Sequence, residues 1–551
     1  MYTRKFILCL SWLLFLPLSS SLNEAKTQQL NNDPHQFIKA LIASNSNLTQ
    51  DRSVLEQLYL QQNIDSLWLD HGKPTDSTST ILNEIRHASS YGLRPTDYDL
   101  PKIESSLLTL SKLTGAAAAQ LQAQLEITIS TSVLRFIRHL HFGRITPRQV
   151  GFNLPESRNQ ELDLVRVLVN LAKSNQVAAD LVQIEPQFSH YQLLKSALAR
   201  YQALNQHPEL TNLPKPIAMP VKIGDSYEGT VALRNLLIAE QDLANNEGTT
   251  NTQMVIDSEL VEGLKKYQLR HGLTVDGVLG QKTFKQLTTP FSVRIQQIEL
   301  TLERWRWLPP PQSPMIVVNI PQFKLFAFRS AKDNEATLLR LEVIVGQTFE
   351  HTQTPVFLAE MKYVVFRPYW DVPLNITKRE LLPHIRRDPS YLTQHHFELV
   401  RGQGDTSPVV PATVDNINQL ASGTIRLRQL PGDDNALGNI KFMLPNQYNV
   451  YLHSTPAQQL FSESRRAFSH GCVRVSNPLA LAEYVLNNTS ETWDLDRISA
   501  AMNGEANQRI NLTRPIPVMI VYGTVMPLES GVVQFFDDLY GHDAKLAKLL
   551  Y

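Results

Sequence analysis

Apolar residues over the first part of the chain recur at three- and four-residue spacing, the period of amphipathic helices. The pattern is clearest in AAAAQLQAQLEITISTSVLRFIRHLHFGR, where Gly143 is placed to end a helix and Pro147 prevents its resumption. LDLVRVLVNLAKS and HYQLLKSALARYQAL have the same period. His139 and His141 are two positions apart and face different sides of a helix, which favours structural roles. We therefore predict a helical scaffold domain over residues 24–215.

A second helical module follows the proline-rich segment NLPKPIAMP (212–220). An amphipathic helix, two glycine turns and a short helix from Gln281 to Leu287 are predicted within residues 216–290. Residues 223–288 resemble the three-helix peptidoglycan-binding domain of cell-wall enzymes. The resemblance is carried by Tyr267, Gln268, His271, Gly272, Leu273, Asp276, Gly277, Gly280 and Thr283. These positions mostly define a fold and do not indicate which residues contact a glycan.

The hydrophobic pattern changes to strands after a linker helix predicted over residues 291–313. MIVVNI, KLFAF, LLRLEVIV, KYVVF and YNVYLHS are rich in β-branched and aromatic residues. They predict a mostly β domain over residues 314–523, followed by a C-terminal tail over 524–551. Residues about 371–447 interrupt it with a helical, polar insertion of a size typical of a lid. The predicted fold class is multidomain α+β.

The net charge of the chain and the sequence of its N-terminus indicate which partners it binds and where it is located. The 551 residues include 52 basic and 52 acidic side chains, which argues against a nucleic-acid binder held by bulk electrostatics. Arg4 and Lys5 precede an apolar run from Phe6 to Leu18 and three serines, as in a signal peptide over residues 1–23. The run is short for a membrane span, so we expect export, with an uncleaved membrane anchor as the alternative.

Cysteine usage directs attention to one position. The chain has 2 cysteines, and Cys9 lies inside the predicted signal peptide. Cleavage would leave Cys472 as the lone thiol of an exported protein, with no partner for an intramolecular disulfide. An idle exposed thiol is a liability in an oxidising compartment. The alternative interpretation is a buried cysteine acting as a small hydrophobic residue.

The sequence SHGCVRVSNP surrounds this thiol and offers nucleophilic chemistry. A thiol must lose its proton to attack, and a histidine within hydrogen-bond reach would take it. His470 lies in the same loop, whereas His453 ends a predicted strand nineteen positions earlier. Backbone N–H groups near Gly471 would stabilise an oxyanion. Arg474 adds a fixed charge or is a solvated surface residue.

The sequence around this loop indicates a helix that holds it in place. A zinc site is the alternative chemistry for the same residues. Asn477 is placed to cap a helix that begins at Pro478, so the loop lies between a strand and a helix. His453, His470 and Cys472 would supply three zinc ligands. No acidic residue beside them is an obvious catalytic base, and the His470/Cys472 spacing fits one ion poorly. We therefore expect no metal and no cofactor.

The block H-x(15)-S-H-G-C-x-R, from His453 to Arg474, is similar to the signature of the L,D-transpeptidases with a YkuD-type catalytic domain. The order of scaffold, peptidoglycan-binding module and interrupted catalytic domain resembles the large periplasmic YcbB-type members of Gram-negative bacteria. This resemblance is strengthened by the further phrases ERWRWLP, VNIPQFKLFAF, VIVGQ and PYWDVPLNIT.

The resemblance implies roles for named residues. Cys472 would be the nucleophile and His453 the general base. The supporting residues would be Ser469, His470, Gly471 and Arg474, and the aromatic wall residues would be Tyr451 and Trp370, either of which could equally be ordinary core. The insertion would cap the substrate.

The resemblance also implies a reaction. Cys472 would attack a donor tetrapeptide stem, release D-Ala and form a thioester, which the diaminopimelate amine of a second stem would resolve into a 3→3 cross-link. Carbapenem β-lactams would acylate the same thiol. Water as acceptor would give an L,D-carboxypeptidase, and a lipoprotein amine an anchoring enzyme. A non-catalytic wall-binding protein is the remaining alternative, which the His453/Cys472 pair disfavours.

Overall fold

The computed structural model describes residues 34–551 apart from 46–47, 49–50, 63, 65, 156–161, 245–253, 311, 331, 403 and 405. The predicted signal peptide and Cys9 lie outside this range. Within the described residues, no helix is long and apolar enough to span a bilayer. The chain divides into two compact units, residues 1–141 with 159–185, and residues 142–158 with 186–551.

The first unit is helical, as its apolar spacing predicted. The helices in its described part are α1 (Pro34–Ser44), α2 (Arg52–Leu55), α3 (Asp76–Arg86), α4 (Leu100–Leu110), α5 (Gly115–Phe142), α6 (Leu164–Lys173) and α7 (Val177–Ile184), with a hairpin of β1 (Leu69–Asp70) and β2 (Lys73–Pro74). Helix α5 stops where Gly143 takes a φ of +87°, which a side chain disfavours. His139 and His141 bond to the Tyr98 hydroxyl and the Ile184 carbonyl within this unit, which fits structural roles.

A buried carboxylate organises the centre of this unit. Glu126 on α5 accepts hydrogen bonds from the backbone N–H groups of Leu67 and Leu69, at 3.0 and 2.9 Å. The hydroxyls of Ser66 and Tyr59 donate to it at 2.6 and 3.0 Å. Burial raises the pKa of Glu126 and these hydrogen bonds oppose the shift. The group fixes the segment before β1 to α5 and is structural.

The second unit begins its helical part with α8 (Ser189–Leu204), α9 (Thr230–Ala239), α10 (Ser258–Arg270), α11 (Gln281–Leu287) and α12 (Phe291–Trp305). Gln268 explains why the module's sequence pattern defines a fold. Its side-chain carbonyl accepts from the N–H of Gly277 at 2.8 Å, and its amide donates to Asp276 at 2.8 Å and Thr283 at 3.2 Å. One glutamine thus ties α10 to the Asp-Gly turn and to α11.

Helix α12, within the predicted linker helix over residues 291–313, is packed on two sides. Ile298 and Leu302 are buried in the same core as α8 and the module. Leu300 on the same helix and Trp307 just after it are buried in the core of the β domain. The helix is apolar on two faces because it separates two cores and forms a wall of each.

The strands of the second unit and its remaining helices follow in chain order. The strands are β3 (Met315–Asn319), β4 (Lys324–Phe328), β5 (Leu339–Gly346), β6 (Phe357–Phe366), β7 (Trp370–Asp371), β8 (Phe397–Val400), β9 (Val409–Val410), β10 (Arg426–Gln429), β11 (Ile440–Met443), β12 (Leu452–His453), β13 (Ala467–Ser469), β14 (Val473–Val475), β15 (Gln508–Val521), β16 (Val525–Pro527) and β17 (Val533–Phe535). The helices are α13 (Leu374–Ile376), α14 (Leu382–Arg387), α15 (Tyr391–Gln394), α16 (Val414–Gln419), α17 (Pro478–Leu486), α18 (Leu495–Asn503) and α19 (His542–Leu550).

Nine strands of the described chain form the main sheet, in the order β13-β5-β14-β12-β11-β6-β15-β3-β4. Strand β4 also pairs with β5, so the pairing closes on itself. Strand β15 lies parallel to β3 and antiparallel to β6. Alternating residues such as Val318, Leu325 and Val364 are buried in the shared core. The mostly β domain predicted from the strand patterns is confirmed.

The insertion forms a separate small sheet in the order β7-β10-β8-β9, counting its described strands. Leu399, Leu427 and Ile385 are among the buried residues of its own apolar core. Strand β11 returns to the main sheet, so the insertion ends earlier than residue 447. The polar loops before β11 conceal this short apolar strand in the sequence.

Residues 524–551 are a packed part of the fold and differ from the loose tail expected. Leu546 and Leu550 of α19 are buried in the core of the β domain. Val533 and Phe535 of β17 are buried beside the module. These segments are too short for their apolar faces to be read reliably from sequence spacing.

Candidate active site

The register of two parallel strands assembles the site. Leu452 lies opposite Val473 and His453 opposite Arg474. The N–H of Val473 donates to the carbonyl of Tyr451 at 3.1 Å, which places Tyr451 beside Cys472. Because side chains alternate along a strand, Tyr451, His453, Cys472 and Arg474 project from one face of the sheet. Strand β12 is shorter than YNVYLHS suggested, yet it ends at His453 as expected.

The loop before the thiol is held by its own polar groups. Gly471 has a φ of +115°, a conformation that favours glycine. The hydroxyl of buried Ser469 donates to the carbonyl of Cys472 at 2.5 Å and accepts from the N–H of Gly471 at 3.2 Å. Asn477 caps α17 by accepting from the N–H of Ala480 at 3.1 Å, with Pro478 in the first turn. The loop is therefore fixed at both ends.

Three residues that the sequence analysis missed brace this loop from outside. The hydroxyl of Thr354 donates to the carbonyl of Gly471 at 2.8 Å and accepts from the N–H of Gly346 at 2.9 Å. Tyr540 donates to the carbonyl of Gly346 at 2.6 Å. A Cβ on Gly346 would lie 2.0 Å from the carbonyl oxygen of Thr352, so only glycine fits. All three residues are remote from Cys472 in sequence. Only Gly346 lies in a phrase, VIVGQ, that the sequence analysis had singled out.

The thiol itself is partly exposed and stays protonated at neutral pH. Its Sγ lies 3.7 Å from the carbonyl oxygen of Asn449. Burial raises the pKa of Cys472 to about 11, and hydrogen bonding with Tyr451 and the charge of Arg474 oppose that shift. Cys472 in turn contributes to a pKa of Tyr451 well above its ordinary value, after burial as the largest cause. Tyr451 therefore lies near the thiol, and its influence favours the negative sulfur.

His453 is buried and uncharged. Its Nδ1 lies 2.5 Å from the carbonyl oxygen of Ser454, which can only accept, so Nδ1 carries the hydrogen and Nε2 the lone pair. Burial and then the charge of Arg474 lower the pKa of His453 to about 3, and hydrogen bonds to the backbone of Ser454 and Leu437 oppose the shift. The ring is a neutral base on the strand next to the thiol.

Arg474 and Trp370 have different environments. Arg474 faces this group, and its Nε is buried without a hydrogen-bond partner in the described part of the chain. Burial lowers the pKa of Arg474, and the nearby thiol opposes the shift. Trp370 lies in the insertion, half-buried, with its ring 6.3 Å from that of Phe397. It packs against the insertion core, and its contact with substrate stays a prediction.

The side chain of His470 contacts the insertion. Its Nε2 lies 2.8 Å from a carboxylate oxygen of Glu380, and the two side chains are 34% and 47% exposed. Glu380 belongs to a π-helical turn (Thr377–Leu381). The same turn carries Arg379, whose guanidinium lies 3.0 Å from Nε2 of His351. Glu380 lies ninety residues before its partner His470 in the sequence.

A large cavity of the second unit lies elsewhere. It measures about 1370 Å³ and is bounded by the module and the outer faces of β3 and β4. Phe326 and Phe328 form part of its floor, and Gln322 and Asn334 lie on its walls. Cys472 and His453 are not among its lining residues. In the described part of the chain, no three His, Cys, Asp or Glu side chains are grouped so as to hold a metal ion.

Comparison with known proteins agrees with this geometry. Residues 313–498 match the family described as "L,D-transpeptidase catalytic domain", which includes every residue of the candidate site. Residues 53–198 match "Scaffold domain", and residues 231–287 match "Putative peptidoglycan binding domain".

A curated relative from Haemophilus influenzae, described as "Putative L,D-transpeptidase", is 32% identical over 251 residues. That alignment covers 46% of this chain and 49% of the relative, so the chain matches about half the length of the relative. The chain therefore contains a YkuD-type L,D-transpeptidase catalytic domain, together with a scaffold domain and a peptidoglycan-binding domain.

Proposed function

We propose that this protein is a peptidoglycan L,D-transpeptidase that forms 3→3 cross-links through a thioester on Cys472. The observation that carries the proposal is the shared sheet face, where the thiol of Cys472 and neutral His453 project from neighbouring parallel strands. A nucleophile, a base and backbone N–H groups close to the nucleophile are the requirements of acyl transfer.

The first half-reaction consumes the donor stem. The Cys472 thiol gives its proton to Nε2 of His453 as sulfur attacks the carbonyl between diaminopimelate and D-Ala. Backbone N–H groups of the Gly471 loop hold the oxyanion. The carbon–nitrogen bond breaks, His453 returns the proton to the departing D-Ala amine, and a thioester remains.

The second half-reaction transfers the acyl group. The side-chain amine of an acceptor diaminopimelate attacks the thioester, the carbon–sulfur bond breaks, and the sulfur regains a proton through His453. The insertion limits access of water to the thioester, which hydrolysis would otherwise waste. Ser469, Gly471 and Arg474 keep the loop and its charge in place.

The cell-wall substrate places this reaction outside the cytoplasm. We propose that residues 1–23 export the protein to the periplasm, with retention at the inner membrane if they are not cleaved. Carbapenem β-lactams, whose strained amide resembles the donor carbonyl, are expected to acylate Cys472.

The cleft beside the module is the proposed glycan site. Phe326 and Phe328 offer apolar faces for sugar rings, and Gln322 and Asn334 offer polar groups for hydroxyls. Phe326→Ser is expected to weaken co-sedimentation with purified peptidoglycan, since it removes a stacking face, while carbapenem acylation stays unchanged. Equal co-sedimentation of variant and wild type would contradict this placement.

Product analysis tests the proposed function. Purified protein and a Cys472→Ala variant are incubated with tetrapeptide-containing muropeptides, and products are identified by mass. Dimers that lack the donor's terminal D-Ala are expected with wild type alone. Tripeptides without dimers would mean an L,D-carboxypeptidase, and a lipoprotein-linked product would mean an anchoring enzyme. Unchanged substrate with wild type would remove the catalytic proposal and leave a wall-binding protein.

A further inference from the structure

The second half-reaction releases a proton that the first does not. An alkyl amine such as the diaminopimelate side chain has a pKa of about 10.4 and arrives as an ammonium ion, which cannot attack until it loses a proton. Formation of the amide removes two protons from the ammonium, and the sulfur takes only one of them through His453, so a second proton acceptor is needed. Arg474 also repels a second cation near the thiol.

Glu380 and His470 together offer a second proton acceptor. His470 is two residues before the nucleophile, and its Nε2 lies 2.8 Å from Oε1 of Glu380. A carboxylate only accepts, so Nε2 donates and the neutral ring keeps its lone pair on Nδ1. A carboxylate that orients an imidazole and stabilises its charged form is the arrangement that makes histidine an effective base in hydrolases.

The exposure of this pair fits a bound reactant better than a structural clamp. The side chains of His470 and Glu380 are 34% and 47% exposed, so both are open to an arriving group. The loop around the thiol is already held by Ser469 and Thr354, without the His470 ring. Exposed ion pairs also contribute little stability.

We propose that Glu380 and His470 form the acceptor-amine site of this enzyme, an assignment that rests on the proposed function. The Glu380 carboxylate attracts the incoming ammonium and stabilises the charged form of His470 through Nε2, while Nδ1, on the other side of the ring, takes the ammonium's first proton. The free amine then attacks the thioester, a carbon–nitrogen bond forms as the carbon–sulfur bond breaks, and the amine's second proton passes through His453 to the sulfur. The insertion thereby contributes a reacting surface as well as a cover.

A choice of nucleophiles tests this assignment. The thioester formed from a donor tetrapeptide is offered either a diaminopimelate-containing acceptor or hydroxylamine, which is uncharged at neutral pH and needs no prior deprotonation. Glu380→Gln is expected to lower the rate of amine transfer about tenfold or more, within the usual range for lost acid–base assistance, and to leave hydroxamate formation unchanged. The KM for the amine acceptor is expected to rise.

Two neighbouring variants separate charge recognition from closure of the insertion. Arg379→Gln breaks the contact between Arg379 and His351 and keeps the Glu380 carboxylate. This variant should therefore retain the wild-type ratio of amine transfer to hydroxamate formation. Lys378→Gln changes an exposed charge in the same turn and is the matched control. An equal fall in both products for Glu380→Gln, or the same change of ratio in Arg379→Gln, would overturn the assignment.

Acylation is measured first, as the increase in the mass of the intact protein when the donor acyl group is attached. Absence of this adduct on wild type would refute the proposed function itself. A normal adduct combined with equal amine transfer by wild type and Glu380→Gln would refute only the acceptor site.

Discussion

The thiol of Cys472 and the imidazole of His453 project from the same face of adjacent strands, and burial favours the uncharged form of each. The pKa of the thiol is raised to about 11 and that of the imidazole is lowered to about 3. A thiolate–imidazolium pair is therefore not the resting state. In the proposed reaction the proton would leave sulfur only as the carbon–sulfur bond forms, which is general base catalysis in its ordinary sense.

This resting state has a definite pH dependence. A base with a pKa of about 3 is unprotonated above that pH, and a thiol with a pKa of about 11 is protonated below that pH. The reactive neutral pair is thus fully populated between these values, and the rate of carbapenem acylation should be level from about pH 5 to 9. Stopped-flow measurement across this range checks it. A sigmoid centred near 6.5 would mean that His453 titrates normally, and a tenfold rise per pH unit would mean that hydroxide removes the proton.

Tyr451 has a separable contribution at this scale. Its contact with the thiol favours the negative sulfur, so Tyr451→Phe should slow acylation by about 10- to 100-fold, as expected for a hydrogen bond to a charged group. The unfolding temperature should change little because the ring remains. Tyr363→Phe, which removes a tyrosine hydroxyl elsewhere on the main sheet, is the comparison variant. An unaltered acylation rate in Tyr451→Phe would show that the hydroxyl does not stabilise the developing charge.

At the scale of elements, a strand pair and two loops position these groups. Strands β12 and β14 set which side chains share a face, and the segment from Gly346 to Thr354 braces the Gly471 carbonyl from outside. The loop therefore depends on backbone conformations that few residues can adopt.

Gly471→Ala tests that dependence. A φ of +115° is strained for alanine, at a cost of about 1–3 kcal/mol, and relief of the strain moves the N–H groups that hold the oxyanion. Acylation should fall steeply while circular dichroism stays unchanged. Gly531→Ala is the control, since Gly531 has a φ of +81° in an open turn with no neighbour near its Cβ position. Equal activity of Gly471→Ala and wild type would refute the role of this loop.

Most of the long elements and two residues of the candidate site could be predicted from the sequence, and a definable set of contacts could not. Cys472 and His453 stand out as candidates because a lone thiol in a chain predicted to be exported and a strand-end histidine are local patterns. The long helices and main strands follow from local periodicity. Thr354, Tyr540 and Glu380 are not recognisable, because their contacts with the site cross the chain by 90 to 194 residues and no local spacing encodes them. Two-residue strands such as β7 and β9 are shorter than the period that would reveal them.

At the scale of the whole second unit, buried ionic groups join the module to the C-terminal segments. The Nε of Arg270 donates to both carboxylate oxygens of Asp242 at 2.8 and 2.9 Å. Its Nη1 donates to the carbonyl of Val533 at 3.2 Å, and its Nη2 bonds to Glu240. Arg270 ends α10, so this network connects the module to β17, while α12 forms a wall shared by two cores.

Removal of Arg270 should be costly. Arg270→Met leaves two buried carboxylates without their partner, which is expected to lower the free energy of unfolding by about 3–5 kcal/mol. Urea unfolding followed by tryptophan fluorescence measures this loss. Arg514→Met, at an exposed arginine on β15, should change stability by less than about 0.5 kcal/mol. Similar losses in the two variants would mean that the network contributes no stability of its own.

The central claim, that Cys472 carries the acyl group, is tested most directly by intact-protein mass spectrometry during turnover of a donor tetrapeptide without acceptor. We expect an adduct equal to the donor minus D-Ala, located by peptide mapping on the fragment that contains Cys472 and released by hydroxylamine as a thioester is. His453→Ala should accumulate it far more slowly, and Cys472→Ala not at all. An adduct on another residue, or donor turnover by Cys472→Ala, would contradict the account.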